Sequence, residues 1–369
     1  MVFANTALYC NGFTFTICAL FVFTYVAVRT KRSSDNETVV ERELLPSIRP
    51  TSSLPHGYGP QTKFVSLCPA NFDSRRLGNQ LFNFAAMMYV ARVTGRRVVM
   101  PRRYIHGEPA GHSGWIDRWF DVPDIELVED VVPRLCPCRN VTERRPLAFD
   151  RSLRREALQS DHITTLLTCG WFQSWKYAAG VDGGRSLRLQ LRWRPEVAVA
   201  VRRFLADHRP LAWNSTVHYV RIGIHVRSGD LLDSRKLAFG YTIPSRRYFR
   251  RAIAFFLWRY GKTAATNVQF VVTSDNVDWV RTHLRLDQII AGYGRSVNFV
   301  YSTSADAGFD LALLSACDDV IMSTGTYGWW AGWLAAGTTV YHRGWPRRGS
   351  ALHAAFSRTD FFPPRWIAL

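Results

Sequence analysis

A short stretch near the middle of the chain places cationic and turn-forming residues where they suit an anionic ligand. The sequence YVRIGIHVRSGD spans Tyr219–Asp230 and alternates apolar with polar residues. A period of two predicts a β-strand with one apolar face and one face that carries cations. Arg227 then lies at the carboxyl end of this strand, ahead of the turn-forming Ser228 and Gly229.

The chemistry available at this strand end is that of phosphate binding. The guanidinium of Arg227 is a planar fork of donors that can hold a phosphate or a pyrophosphate through two hydrogen bonds. Gly229 has no side chain to obstruct a phosphate, His225 points the same way, and Asp230 supplies a carboxylate. The same residues can also form structural ion pairs around a buried strand, so this stretch alone leaves both interpretations open.

The second half of the chain alternates predicted strands with predicted helices, which is typical of a parallel sheet with helices on both faces. After the opening strand, we predict strands at Asn267–Thr273, Val297–Tyr301, Asp319–Met322 and Thr338–His342. We predict helices at Ser245–Gly261, Val277–Leu284, Phe309–Cys317 and Thr326–Ala336.

Polar or small residues come after three of these strands, in the loops 228–230, 274–276 and 323–326. Because the carboxyl ends of parallel strands lie at one edge of a sheet, the loops should converge there. Asp275 or Asn276 can then hydrogen-bond a base or a ribose. Ser323, Thr324 and Thr326 stand at the start of a helix, whose amide groups and dipole favour a phosphate. Ordinary turn chemistry is the alternative, and three such loops with an arginine between them favour a ligand.

The first half of the chain opens with a predicted βαβ unit. It consists of a strand at Phe64–Leu67, a helix at Gln80–Thr94 and a strand at Val98–Pro101. Residues 102–165 are irregular by pattern, and Arg194–His208 is predicted to be an amphipathic helix. The aromatic-rich stretch Leu166–Tyr177 is interpreted as core, although aromatic rings beside polar groups also bind sugars.

Composition excludes several classes of protein. The 369 residues suffice for roughly two domains, and 47% hydrophobic content excludes a disordered chain. The formal charge of +18 is not accompanied by zinc-finger spacing or an RNP-type motif, so we expect no nucleic-acid partner. No P-loop, no GxGxxG after a strand and no Asp-x-Asp occur, which argues against common ATPases, dehydrogenases and a diphosphate-bound metal.

The amino terminus resembles a membrane anchor joined to a stem. Residues 1–28 contain no charged residue, and after a short tail (1–6) the apolar run 7–28 is long enough to span a membrane. Residues 29–62 are polar and rich in Ser and Pro, as in a flexible stem. The basic cluster after the span favours the cytosol for the large domain, whereas the glycosylation sequons at Asn36, Asn140 and Asn214 favour the lumen. We predict a lumenal catalytic domain, since large domains can translocate despite nearby charge.

The cysteines allow one or two disulfides. Two of the seven lie in the predicted span, which leaves Cys68, Cys136, Cys138, Cys169 and Cys317. Five is an odd number, so at least one thiol is free or pairs between chains. Cys136 and Cys138 have no partner pair at zinc spacing and are interpreted as disulfide participants.

Five stretches, in order, resemble the motifs of the α-1,2-fucosyltransferases, glycosyltransferase family eleven. The central one, HVRSGD at His225–Asp230, is similar to the HxRxGD motif of that family. The other four are Arg76–Gln80, Gly170–Tyr177, Phe270–Asn276 and Asp310–Trp333. The resemblance covers roughly residues 64–345, and five ordered motifs are far more specific than any one of them.

The resemblance implies an α/β, GT-B-like enzyme with two Rossmann-like halves. Residues 63–210 would form the acceptor-side half, and residues 211–369 the half that binds GDP-fucose. The reaction would transfer L-fucose from GDP-fucose to the 2-hydroxyl of a terminal β-galactoside with inversion, without a metal or another cofactor. The anchor and stem are similar to those of single-pass type II proteins of the Golgi membrane, with the catalytic domain in the lumen.

The resemblance also assigns roles to residues. Arg227 would bind the β-phosphate and stabilise the leaving GDP, His225 would orient the phosphate or guanosine, and Asp230 is the candidate base. The predicted donor-binding set is His225, Arg227, Gly229, Asp275, Asn276, Ser323, Thr324 and Thr326. The residues predicted to contact donor or acceptor sugar are Asn79, Gln80, Gln173 and Trp175.

One position departs from the family pattern and keeps alternatives open. The family often has two adjacent arginines in this motif, and the second position here is Ser228. Arg221 is one alternative source of the missing charge. The alternative functions are a fucosyltransferase with a different acceptor, such as a peptide or a core glycan, and a catalytically silent membrane lectin.

Overall fold

The protein is represented by a computed structural model. It describes residues 62–67, 76–101, 116–122, 125–128, 138–162, 164–168, 170–210, 218–260, 266–290 and 297–369. The predicted membrane span, most of the stem, two of the sequon asparagines and four of the five cysteines beyond that span lie outside these residues or their described side chains. Cys317 is described and is a buried free thiol.

The first half is built on a five-stranded parallel sheet in the order β4-β2-β1-β6-β5. Its strands are β1 (Phe64–Leu67), β2 (Arg97–Pro101), β4 (Glu126–Val128), β5 (Cys138–Thr142) and β6 (Thr164–Thr168), and a small antiparallel pair joins β3 (Phe120–Asp121) to β7 (Arg192–Trp193). The predicted βαβ unit is confirmed, because β1 and β2 are parallel neighbours. The expectation of an irregular 102–165 region is wrong for β3, β4, β5 and a helix at Ser152–Leu158, which are too short to show a clear periodic pattern.

The second half is built on a six-stranded parallel sheet in the order β10-β9-β8-β11-β12-β13. Its strands are β8 (His218–Val226), β9 (Thr266–Ser274), β10 (Val297–Tyr301), β11 (Asp319–Met322), β12 (Thr339–Tyr341) and β13 (Ile367–Ala368). The chain runs outward from β8 to β10, returns to the other side of β8 and runs outward again. The strand order therefore reverses between β8 and β11, which is where an open α/β sheet has its ligand crevice.

The helices alternate with these strands, so the predicted α/β class with two parallel-sheet halves is confirmed. The α-helices are α1 (Leu77–Thr94), α2 (Ser152–Leu158), α3 (Trp175–Ala179), α4 (Arg185–Gln190), α5 (Pro195–Asp207), α6 (Ser234–Phe239), α7 (Arg246–Tyr260), α8 (Val277–Trp279), α9 (Ala307–Ser315), α10 (Thr326–Ala335), α11 (Ala351–Ala355) and α12 (Arg358–Phe361). A π-helical turn at Val280–Leu284 continues α8, and 3-10 turns lie at Ile116–Arg118, Asp230–Leu232 and Leu286–Ile290.

Helices α1 and α10 pack against each other and join the two halves. Both are apolar on all sides rather than amphipathic, as expected of helices that are covered all round. Phe82 of α1 contacts Trp329 and Trp330 of α10, with ring centroids 4.6 and 5.2 Å apart. One hydrophobic cluster contains all three residues, so the core of the first half continues into the second.

The carboxyl-terminal segment crosses back to the first half. Trp175 donates its indole N–H to the Thr359 carbonyl at 2.9 Å, and Ser174 donates its hydroxyl to the Asp360 carbonyl at 2.6 Å. Lys176 forms an ion pair with the Asp360 side chain. The chain then returns to the second sheet as its edge strand β13. The aromatic-rich stretch before α3 is largely core, as predicted, with Phe172 and Tyr177 fully buried.

Within the described residues, no helix combines the length and apolar character that crossing a membrane requires. Asn140 lies on β5, an edge strand of the first sheet, and its side chain is exposed.

The α1–α10 contact generates a stability prediction. We expect Phe82→Ala to lower the free energy of unfolding by about 3–5 kcal/mol, because a fully buried ring would be replaced by a cavity. Urea unfolding measures the change. Leu189→Ala is the control, because its side chain is 63% exposed and should cost less than about 0.5 kcal/mol. Equal effects of the two variants would contradict a shared core.

Candidate active site

The site lies at the carboxyl ends of β8 and β11, where the strand order of the second sheet reverses. His225 on β8 is in register with Met322 on β11. Just beyond these residues, the Ser323 amide donates to the His225 carbonyl at 3.0 Å, and the Arg227 amide donates to the Ser323 hydroxyl at 2.9 Å. The role found for Ser323 is therefore to fix the backbone that carries Arg227.

Arg227 and Asp230 form a two-point ion pair. The guanidinium donates from Nε to Oδ1 at 2.8 Å and from Nη2 to Oδ2 at 2.7 Å, and both side chains are only 18% exposed. The guanidinium carbon lies 5.2 Å from the centre of the Tyr241 ring. Its third nitrogen, Nη1, faces Gly325, where an added Cβ would lie 2.6 Å away. Gly325 also has a φ of +87°, so two independent requirements favour glycine here.

Two further cations converge on the same carboxylate. Arg76 donates from Nη2 to Oδ2 of Asp230 at 2.7 Å, and Lys236 donates from Nζ to the same oxygen. Partial burial raises the pKa of Asp230, but the hydrogen bonds and charges of Arg227, Lys236 and Arg76 outweigh it and hold the pKa well below its usual range.

This geometry argues against the predicted role of Asp230 as the base. A carboxylate that three cations stabilise has little affinity for a proton and is a poor proton acceptor. Its contacts instead make Asp230 the residue that holds Arg227, Arg76 and Lys236 together.

His225 is buried and neutral. Burial lowers the pKa of its imidazole to about 4, because the charged form loses its water; the nearby Asp275 opposes this and Arg227 adds to it. Nδ1 lies 3.3 Å from the Ser323 hydroxyl, and the ring centroid is 5.1 Å from that of Tyr327. At neutral pH His225 can donate or accept a hydrogen bond but carries no charge.

Asp275 and Asn276 are used by the protein itself. Oδ1 of Asp275 accepts from the amides of Ser228 and Gly229 at 2.8 and 3.0 Å, which fixes the loop after β8. A Cβ on Gly229 would lie 3.1 Å from Oδ2 of the same carboxylate. Oδ1 of Asn276 accepts from the Trp279 amide at 3.0 Å and so caps α8. These contacts account for both residues without a nucleotide.

Asn79 links the two halves at the mouth of the site. Its Oδ1 accepts from Gln173 Nε2 at 3.0 Å and from the Thr326 hydroxyl at 2.9 Å. One residue earlier, a Cβ on Gly78 would lie 2.8 Å from Thr326 Oγ1 and from the Tyr327 amide. The amino ends of α1 and α10 therefore meet here.

Neither of these helix ends is capped by a side chain: Arg76 and Gly325 occupy the N-cap positions and make no side-chain cap bond. The first amide groups and the positive dipole ends of both helices thus add to the field of Arg76, Arg227 and Lys236. The arrangement suits an anion with two or more negative charges.

Several predicted site residues lie elsewhere or serve the fold. Trp175 directs its indole N–H to the Thr359 carbonyl, and Gln80 is 5% exposed inside the core. Thr324 is fully buried and its hydroxyl lies 3.4 Å from the Thr242 carbonyl. Arg221, the suggested substitute for the missing arginine, donates to Gln269 Oε1 at 3.2 Å, six residues upstream of Arg227 on β8. At ~3.3 Å per residue that is roughly 20 Å away.

Three residues that were not among the predicted site residues support the site. Arg76 and Lys236 belong to the start of α1 and to α6, and they meet Asp230 only through the fold. Glu143 is buried and accepts from the amides of Trp171 and Phe172 at 2.7 and 3.0 Å, which positions the loop that carries Gln173. Arg76 lies in one of the motifs that resemble the family, whereas no sequence pattern pointed to Lys236.

In the described parts of the chain, no group of three or more His, Cys, Asp or Glu side chains is arranged to hold a metal ion.

The neutral imidazole predicts a pH dependence of stability. The unfolded chain binds a proton on His225 near pH 6.5 and the folded protein only near 4, so this group lowers stability as pH falls through that window. Protonation of His225 should therefore lower the free energy of unfolding by about 3 kcal/mol between neutral pH and pH 4, and we expect His225→Gln to remove this decrease. Urea unfolding at several pH values measures it. His353 is exposed on α11, so His353→Gln should keep the wild-type dependence of the free energy of unfolding on pH. If His225→Gln also keeps the wild-type dependence, His225 is not a buried neutral ring.

The contact of Gly325 with Arg227 generates a second prediction. Gly325→Ala should weaken binding of GDP, the expected ligand, at least tenfold, because the new methyl group displaces Nη1 of Arg227. Gly349→Ala is a matched control, with a φ of +76° and no atom within 4 Å of the added Cβ. Backbone strain should lower the free energy of unfolding of each variant by about 1–3 kcal/mol. Titration calorimetry and urea unfolding separate the two effects; equal GDP affinities would exclude the steric link.

The chain is similar in sequence to known glycosyltransferases. The model of glycosyl transferase family 11 matches residues 191–369, which include β8, β11 and α10. Galactoside alpha-(1,2)-fucosyltransferase 2 of Bos taurus is 25% identical over 310 residues, with 80% of this chain and 76% of the relative covered. Galactoside alpha-(1,2)-fucosyltransferase 1 of Alouatta caraya is 28% identical over 310 residues, covering 81% and 74%.

Among solved structures, the chain is similar to POFUT1 in complex with GDP-fucose, with a TM-score of 0.49, 11% identity and coverage of 78% of this chain and 99% of that one. The chain is thus similar to glycosyltransferase family 11 over residues 191–369 and to galactoside alpha-(1,2)-fucosyltransferases over about 80% of its length.

Proposed function

We propose that this protein transfers L-fucose from GDP-fucose to the 2-hydroxyl of a terminal β-galactose on glycoconjugates, with inversion at the fucose. The match to the model of glycosyl transferase family 11 supports the reaction class, and the names of the relatives, galactoside alpha-(1,2)-fucosyltransferases, support the sugar and the linkage. No metal or other cofactor takes part in the proposed reaction.

The observation that carries the proposal is the position of Arg227 between two uncapped helix amino ends. In the reaction, the bond between the fucose anomeric carbon and the β-phosphate oxygen breaks, and its electron pair stays on the GDP. Negative charge therefore grows on the diphosphate as the transition state forms. A guanidinium that Asp230 already holds in place stabilises that charge without reorganising, which is the largest electrostatic contribution available to the site.

The acceptor reaches the fucose from the side of the first half. Its 2-oxygen bonds to the anomeric carbon on the face opposite the leaving phosphate, and its proton passes to a base. Asn79 and Gln173 form the polar wall of the first half at this point, held to each other and to Thr326. In the proposed complex, their amide groups hydrogen-bond hydroxyl groups of the sugars.

The cellular setting belongs to the same proposal. The enzyme would be a single-pass type II protein of the Golgi membrane, anchored by residues 7–28, with a lumenal catalytic domain of GT-B-like architecture. The charge-free amino-terminal run supports the anchor, and the exposed sequon at Asn140 supports the lumenal side.

Fucose transfer by the full-length chain in detergent tests the proposal. With GDP-fucose, a terminal β-galactoside and a chelator, we expect a product whose new linkage NMR identifies as α-1,2. Arg227→Ala should lower kcat/KM by about 100-fold or more, as loss of a transition-state donor does elsewhere. Arg227→Lys should retain more activity than Arg227→Ala but less than the wild type, because a single ammonium lacks the planar fork of donors.

Arg221→Ala is the matched control, since it removes an arginine from the same strand at a distance from the site. The folded fraction of this variant should transfer fucose with the wild-type kcat/KM. GDP binding that depends on Arg227 without transfer to galactose would favour a different acceptor or a silent lectin. A folded chain with neither GDP binding nor transfer would refute the proposed donor.

A further inference from the structure

The family pattern often has a second arginine at the position of Ser228, and the structure has a buried, uncharged side chain there. Ser228 is completely buried, and its hydroxyl has no hydrogen-bond partner among the described residues. Its amide is held by Asp275. The family-like site therefore lacks one cation on the motif strand, and Arg221 on that strand lies too far away to replace it.

Lys236 brings a cation to this place from a different element. Asp233 caps α6 by accepting from the Arg235 amide at 2.9 Å, which starts the helix and directs Lys236 toward Asp230. The Lys236 ammonium contacts Asp230 Oδ2, and the side chain is 27% exposed, so it contacts the carboxylate while remaining partly accessible to a ligand. Its carbonyl accepts from the Tyr241 amide at 3.1 Å, and the Tyr241 ring lies over Arg227.

The side chains around Asp230 carry an excess of positive charge. Arg76, Arg227 and Lys236 face Asp230, with Asp275 behind the loop, which leaves one uncompensated positive charge beside two helix amino ends. A purely structural ion-pair cluster would balance its charges, because excess like charge destabilises a partly buried site. A diphosphate with two negative charges would complete this cluster.

We propose that Lys236, with Arg76 beside it, binds the diphosphate of the nucleotide-sugar donor and supplies the charge that Ser228 lacks. This inference rests on the proposed function, since it names further binding residues of the same site. An ammonium has three N–H donors, and the contact with Asp230 uses one of them. Lys236 can therefore contact a phosphate oxygen without leaving the carboxylate, and Asp230 serves as its positioning residue.

The proposal predicts selectivity for a diphosphate over a monophosphate. GDP and GMP share the guanosine and one phosphate, so a cation that reads the second phosphate changes the affinity for GDP only. In the full-length chain, Lys236→Ala should weaken GDP binding about tenfold, leave GMP binding within twofold, and reduce the sensitivity of GDP binding to salt. Lys236→Arg should restore GDP affinity to within about threefold, because the charge is kept. Titration calorimetry measures each affinity.

Arg235→Ala is the matched control on the same helix. Arg235 is 70% exposed and paired with Asp233, away from Asp230, so its loss should leave both affinities unchanged. Thermal unfolding verifies that each variant is folded, which a partly exposed side chain on α6 should permit.

The outcomes separate this inference from the proposed function. Wild-type protein that binds no GDP would overturn both. Wild-type binding that Lys236→Ala leaves unchanged would overturn the role of Lys236 alone. Equal loss of GDP and GMP affinity in Lys236→Ala would show that the lysine acts by positioning Asp230 and Arg227, which also contradicts direct binding of the second phosphate.

Discussion

A largely buried guanidinium needs a fixed counter-charge, and the site depends on how Asp230 supplies it. Without the carboxylate, Arg227 would carry an unpaired charge at the end of an apolar strand, at a cost of several kcal/mol. With it, the guanidinium is held at two points in one orientation. The same carboxylate draws Arg76 and Lys236 inward from α1 and α6. One acidic residue thus organises three cations contributed by three separate elements, and its own low proton affinity is a consequence of that arrangement.

Packing explains why those elements can meet. Helices α1 and α10 are covered on all sides, so their positions are set by contacts such as that of Phe82 with Trp329 rather than by one amphipathic face. Their amino ends approach so closely that a Cβ on Gly78 would contact Thr326. Asn79 accepts hydrogen bonds from both halves at this point. The same apolar contact that joins the halves therefore also directs two helix dipoles into one cleft.

Much of the fold was predictable from local pattern. The strands β8, β9, β10 and β11 have long or clearly bounded apolar runs, and the sequence placed each within a residue or two at its ends. The missed strands are β3, β4, β5, β6, β7 and β13, because short strands stabilised by their neighbours carry no period of their own. The polar loops after β8 and β11 were expected to converge, and they do, because the carboxyl ends of parallel strands share an edge.

The sequence by itself determined the residues of the motif strand, the alternation of strands and helices and the placement of Arg227 at a strand end. Only the tertiary structure decided what each polar group does. Asp275 and Asn276 hold a loop and cap a helix, and Asp230 binds cations rather than accepting a proton. Arg76 and Lys236 lie far apart in the chain, so no spacing rule links them. They contact the same carboxylate only once the two halves pack, because electrostatic interactions depend on distance in space and not along the sequence.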